Sequence, residues 1–122
     1  MTVALGDVRG EVFSTRSELA NQRLRVVLTG CLDMETAPDL ERFLSDTTSV
    51  LASEGVRDVE FDIGGLYLMS SSSISVTATW IKRLKSVAPS CRIKFKTNPN
   101  LAWQRRTLES IRRVAENMVT VS

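Results

Sequence analysis

Asp58-Val59-Glu60-Phe61-Asp62-Ile63-Gly64-Gly65-Leu66-Tyr67-Leu68-Met69-Ser70-Ser71-Ser72-Ser73-Ile74 is the stretch that decides the fold. Its first six residues alternate charged and apolar side chains, the period of a strand with one buried face. Gly64-Gly65 reads as a turn before Tyr67. The serine run then opens a helix that starts near Ser72. Ile74, Ala78, Ile81 and Leu84 fall at i, i+4, i+7 and i+10, one apolar stripe, and Pro89 marks its end. A half-buried strand running into an amphipathic helix is the first half of a strand–helix–strand unit.

The same pattern recurs on both sides. Leu24, Val26 and Leu28 alternate with Arg23, Arg25 and Val27. Cys91, Ile93 and Phe95 alternate with Arg92, Lys94 and Lys96. A helix follows Thr36-Ala37-Pro38, with Thr36 as N-cap and Pro38 in the first turn; Leu40, Phe43, Leu44, Val50 and Leu51 supply its apolar face and Gly55 closes it. A third helix is expected from about Pro99, capped by Asn98, to Glu116, with Trp103, Leu108, Ile111 and Ala115 inward. A strand over Met118 to Val121 ends the pattern. A further strand is expected around Val8 to Phe13, with Arg16 to Gln22 as a turn. The order β-β-α-β-α-β-α-β implies parallel pairing through right-handed crossovers.

Strands buried on both faces read as continuous apolar runs. These alternate, so the fold class expected is α/β, a single mixed, mostly parallel sheet with helices packed on one face. One domain spans residues 1–122, its core about 8–121. Residues 1–65 hold 12 acidic and 6 basic side chains, and residues 66–122 hold 2 acidic and 10 basic. With the three alternating strands adjacent, Arg23/Arg25, Asp58/Glu60/Asp62 and Arg92/Lys94/Lys96 line up as a basic–acidic–basic ladder that absorbs much of that asymmetry. The remaining excess sits on the last helix, where Arg105, Glu109 and Arg113 have ion-pair spacing. No basic motif interleaved with aromatics for base stacking occurs, so no direct nucleic-acid binding is expected.

Several chemistries are excluded or disfavoured. The chain has no histidine, so no histidine-based triad or histidine metal site can be built from it. Two cysteines, Cys31 and Cys91, give neither a disulfide scaffold nor a zinc site. Asp33, Glu35 and Asp39 sit where acids favour a helix start. Gly64-Gly65 lacks the spacing of a phosphate-binding loop. The expectation is a non-enzymatic protein with no cofactor, no metal and no membrane insertion, located in the cytoplasm. Trp80 lies off the apolar stripe of its helix; in the core it would be packing, and exposed it would be a partner anchor.

Two loops carry a resemblance. Leu28-Thr29-Gly30-Cys31-Leu32-Asp33-Met34-Glu35-Thr36-Ala37 is similar to the L-x-G-x-L-D-x-x-T-A motif of the STAS domain family, the sulfate transporter and anti-sigma factor antagonist domains. Residues 61–76 resemble that family's second motif, D-L-S-x-L-x-F-x-D-S-S-G-L, and Asn98-Pro99 resembles the N/S-P that precedes its last helix. The resemblance spans roughly residues 8–121.

In the bacterial anti-sigma factor antagonists of this family, a partner kinase phosphorylates the second serine of D-S-S-G. That register places Ser70 on the aspartate, Ser71 and Ser72 on the serines and Ser73 on the glycine. Ser72 is then the expected phosphoacceptor, with Ser71 the second choice. The sequence departs from the motif at Ser70, Ser73 and Ser75. The resemblance implies a partner surface of Asp33, Met34, Ser70, Ser71, Ser72, Ser73 and Ser75. The partners implied are a serine-kinase anti-sigma factor, or a related signalling kinase, and a phosphatase. The alternative is a constitutive subunit of a larger assembly, an ABC-transporter or stress-signalling complex. From residue chemistry alone, Ser70–Ser73 could equally do no more than cap the helix and fill the turn.

Overall fold

The computed structural model describes residues 13–122. Five strands and three helices follow in the order β1 (Phe13–Ala20), β2 (Arg23–Leu32), α1 (Ala37–Ser53), β3 (Asp58–Met69), α2 (Ser71–Val87), β4 (Arg92–Lys96), α3 (Ala102–Arg112) and β5 (Val119–Val121). The sheet order is β1-β2-β3-β4-β5. β1 and β2 form an antiparallel hairpin, and every later pair is parallel.

The helices cover one face of this sheet. Leu24, Val26, Leu28, Val59, Phe61, Ile63, Ile93 and Phe95 are buried in one cluster with Leu40, Phe43 and Leu44 of α1, Trp80, Ile81 and Leu84 of α2, and Leu108 and Ile111 of α3. The residues between them on the strands are exposed or half-buried. The ladder forms in register: Asp58 lies between Arg23 and Arg92, and Glu60 between Arg25 and Lys94.

The N-terminal expectation changes. Residues 16–20 are strand, not turn, because the reversal needs only Asn21 and Gln22. Both have positive φ, 52° and 63°, as a two-residue type I′ hairpin requires. The part of the expected strand before Phe13 lies outside the described residues.

Gly64-Gly65 is not a turn either. β3 runs straight through it, and the β2–β3 register slips so that Val27 pairs with Asp62 but Thr29 with Gly65, and Gly30 with Leu66 but Cys31 with Leu68. Each slip inserts one extra residue into β3, the pattern of a β-bulge. A Cβ at Gly65 would stand 2.9 Å from Cγ2 of Thr29, so any larger residue at the first slip would force that side chain to move. The bulges break the alternation, leaving Leu66 buried and Tyr67 and Leu68 both exposed.

Helix boundaries and faces also shift. Thr36 occupies the N-cap position of α1 without a side-chain capping bond. Asp33 Oδ1 accepts from the Thr36 N–H at 2.9 Å instead, and the Thr36 hydroxyl donates back to the Asp33 carbonyl at 3.1 Å. α3 starts at Ala102 and ends at Arg112, shorter than expected. Asn98 Oδ1 accepts from Asn100 N–H at 2.9 Å, so it closes a turn before the helix. The buried face of α2 is Ser73, Thr77, Trp80, Ile81 and Leu84, with Ile74 and Ala78 half-buried beside it. Trp80 belongs to the core: its ring packs edge-on to Phe61 at 5.7 Å, and its Nε1 donates to Thr48 Oγ1 at 2.8 Å. Glu109 pairs with Arg112 at 2.8 Å; among the described residues neither Arg105 nor Arg113 makes an ion pair.

Candidate functional site at the start of the second helix

The β3–α2 junction places the serine run at the C-terminal ends of the parallel strands, where α/β sheets place their loops and ligand surfaces. The local reason is capping. Ser70 has extended backbone and is the N-cap of α2; its Oγ accepts from the Ser73 N–H at 3.2 Å. Its own N–H donates to the Leu32 carbonyl at 2.7 Å, continuing the β2–β3 ladder into the cap.

Ser73, one turn into the helix, is fully buried. Its hydroxyl points at two carbonyl oxygens of the first motif, Leu32 at 3.2 Å and Asp33 at 3.3 Å, and accepts from Ser70 Oγ at 3.0 Å. The first motif and the serine run are thus tied together across some forty residues of chain. The same burial corrects the sequence reading of Ser73. The motif register puts it on the partner surface, but it faces the core and is a structural tie. The Ser70 hydroxyl is likewise committed within the cap.

The other candidates do reach solvent. Ser71 and Ser75 are exposed, and Ser72 is half-buried at the second position of the helix. Asp33 is half-buried, with Oδ1 occupied by the α1 cap. Met34 is 72% exposed, an unusual position for a large apolar side chain. Ser71 and Ser72 thus stand in the first turn of α2, whose cap and Ser73 hydroxyl are tied to the Leu32 and Asp33 carbonyls, whereas Ser75 lines the groove between α1 and α2 with Glu41 and Ser45. No acidic residue lies in the first turn of α2, so its positive dipole end is uncompensated by side chains of its own.

Two features were missed in the sequence. Tyr67 and Leu68, 71% and 50% exposed, add apolar surface at this end of the sheet. The signal was present: Leu66-Tyr67-Leu68-Met69 puts four apolar residues in a row, and a sheet covered on one face cannot bury all four. The second is Gln104 of α3, fully buried. Its Nε2 donates to the Ile63 and Leu66 carbonyls, both at 2.8 Å, and its Oε1 accepts from Asn98 N–H at 2.7 Å. It satisfies carbonyls of β3 beyond Asp62, where the pairing with β4 ends. A glutamine in an amphipathic helix gives no sequence sign of this.

Among the described residues, no three histidine, cysteine or acidic side chains are grouped to hold a metal ion, and no helix is long and apolar enough to cross a membrane.

No family model matches the chain, and no curated protein matches it in sequence. Solved structures do match. An anti-sigma factor antagonist from Mycobacterium paratuberculosis superposes with a TM-score of 0.64 at 16% identity, over 93% of this chain and 86% of that one. The Bacillus cell fate determinant SpoIIAA in its phosphorylated form gives 0.58 at 16% identity, over 88% and 90%. The unphosphorylated anti-sigma factor antagonist SpoIIAA gives 0.61 at 14% identity, over 88% and 87%. At such identities the likeness is one of fold. The chain has the STAS fold of the anti-sigma factor antagonists, the fold its two loop motifs resemble.

Proposed function

We propose that this protein is a non-enzymatic regulatory interaction module of the anti-sigma factor antagonist kind. It binds a serine-kinase anti-sigma factor, or a related signalling kinase, through Asp33, Met34, Ser71, Ser72 and Ser75. Phosphorylation of Ser72 is the off-switch, and a phosphatase reverses it. The observation that supports this most directly is the tie between the two motifs: the Ser73 hydroxyl holds the Asp33–Met34 loop against the start of α2. One modification on α2 therefore changes a surface drawn from both.

The physical chemistry of the switch is simple. A phosphoryl group on Ser72 would sit at a helix N-terminus, where backbone N–H groups and the helix dipole favour an anion. It would add about −1.5 to −2 charges and considerable bulk to a surface that now presents hydroxyls and Met34. The fold would tolerate the group, whereas a partner fitted to the unmodified surface would not. SpoIIAA, which shares this fold, exists in phosphorylated and unphosphorylated forms.

The test is capture of partners from native lysate with wild-type, Ser72→Ala and Ser72→Asp proteins, with intact mass of the endogenous chain. A kinase captured by wild type and lost with Ser72→Asp, together with native phosphoserine at 72, supports the switch. The second reading, a constitutive subunit of a transporter or stress-signalling assembly, draws on the departures from D-S-S-G. Ser70 stands at the cap where the motif has aspartate, and buried Ser73 stands where it has glycine. Equal capture of an ATPase or scaffold by all three proteins, with no phosphate, would favour that reading and overturn the switch.

A further inference from the structure

The open face of the sheet carries a second surface, far from the serine run. The groove lies over Arg23, Asp58 and Arg92, the first residues of β2, β3 and β4, whereas the serine run follows Met69, the last residue of β3. Its charges are unevenly used. Arg23 approaches Asp58 at 4.0 Å, and Arg25 bridges Glu60 at 3.2 Å and Asp62 at 3.6 Å. All three carboxylates of β3 are thus engaged from the β2 side.

On the other side, Arg92, Lys94 and Lys96 of β4 are exposed, and among the described residues none of them makes an ion pair. β5, the next strand, is Val-Thr-Val and supplies Thr120 and no carboxylate. The Arg92 guanidinium is held in place by donating to the Asn117 carbonyl. The surface here is concave: a groove of about 600 Å³ is lined by Arg25, Glu60, Arg92, Lys94, Asn117 and Thr120 among others.

We propose that this groove docks an extended acidic segment of a partner protein, with carboxylates at alternate positions along β4. Residues i, i+2 and i+4 of a strand stand about 7 Å apart in sequence, the same period at which an extended peptide presents one face. Arg92 and Lys94 line the groove and Lys96 continues their row beyond it, so three cations in line over about 13 Å match three carboxylates of such a segment. Asp58 and Glu60 line the same groove one strand over, about 5 Å away, and are paired with Arg23 and Arg25, so the cations left without an ion pair form a stripe one strand wide. A nucleic-acid duplex is therefore a poor fit, while a single extended chain fits the stripe. The site is independent of the serine run, so the protein could hold two partners at once.

The experiment uses the isotopically labelled full chain and two short synthetic peptides, one with glutamate at alternate positions and one with glutamine there instead. The glutamate peptide should move amide resonances of residues 92–96 and 118–121, and weaken as salt rises. The double variant Lys94→Gln/Lys96→Gln changes only exposed side chains. It should lose about tenfold in affinity, the loss expected for two exposed charge pairs. Ser72→Asp should bind the peptide unchanged. Resonance changes elsewhere only, equal binding of the glutamine peptide, or undiminished affinity in the double variant would each overturn the proposal. Tighter binding of a short DNA duplex to the same residues would overturn the choice of an acidic segment.

Discussion

The hydroxyl of Ser73 lies 3.2 Å from the carbonyl oxygen of Leu32, and this bond joins the start of α2 to the end of β2 in the buried interior. Ser72, its neighbour, stands half-exposed on the same helix turn. Adjacent serines in one run therefore have opposite physical roles. One is a buried tie to the end of β2, and the other reaches solvent.

That difference predicts opposite outcomes for the same substitution. Ser72→Asp places a carboxylate in a first turn that has no acid, and should raise stability by about 0.3–1 kcal/mol. Ser73→Asp puts a buried carboxylate against the Leu32 and Asp33 carbonyl oxygens, and should cost about 3–5 kcal/mol. Ser73→Ala, which only removes the bond, should cost about 1 kcal/mol. Urea midpoints of the three variants check all three figures. Ser73→Asp as stable as wild type would mean that Ser73 is not the tie.

Gln104 is the second buried polar anchor. Gln104→Leu fills the space but strands the Ile63 and Leu66 carbonyls and the Asn98 N–H. An unpaired buried group costs about 1–3 kcal/mol, and the added apolar contact offsets part of this, leaving a net loss of about 3 kcal/mol. The urea midpoint should fall with the slope unchanged. Loss of protection from hydrogen exchange should be greatest around residues 63–69.

The contrast between these anchors shows what the sequence made legible. Val59, Phe61 and Ile63 alternate with acids, and the period alone placed β3, its burial and its charged neighbours. The bulge at Gly64-Gly65 is hidden behind the signal of a turn, because two glycines mark a break without saying whether the chain reverses or only slips register. Gln104 and Ser73 were illegible for a common reason. A buried polar side chain is recognised by the backbone groups it satisfies, and those lie about forty residues away. At the candidate site, the motif resemblance implies a surface of Asp33, Met34, Ser70, Ser71, Ser72, Ser73 and Ser75, of which Ser73 is buried. The apolar run Leu66–Met69 signals that some of its residues must be exposed, but that Tyr67 and Leu68 are the exposed pair follows from the bulges.

Gln22 is a non-glycine residue held at φ 63° in the β1–β2 turn. Asn21 suits its positive φ, but a glutamine there is strained. Gln22→Gly gives the Asn-Gly pair that type I′ hairpins favour, and keeps the backbone carbonyl that accepts from the Arg57 N–H at 2.9 Å. Stability should rise by about 0.5–1 kcal/mol, a shift of a few degrees in Tm. No rise would show that the turn carries no strain.

The two thiols should separate by reactivity. Burial, with the nearby Asp58 charge adding to it, pushes the Cys91 thiol above its ordinary pKa. Cys31 is half-exposed on β2. A thiol reagent at mildly alkaline pH should therefore label one cysteine in the native protein and both in denaturant. The same shift gives a pH dependence. In the unfolded chain Cys91 ionises at its ordinary pKa while in the folded protein it still holds its proton, so the folded state binds more protons over that window. Its contribution to stability is present below the unfolded thiol's pKa and is lost as pH rises through the alkaline range. Cys91→Ala should flatten that alkaline slope while lowering stability at neutral pH. A slope unchanged in Cys91→Ala would assign the alkaline loss to other groups.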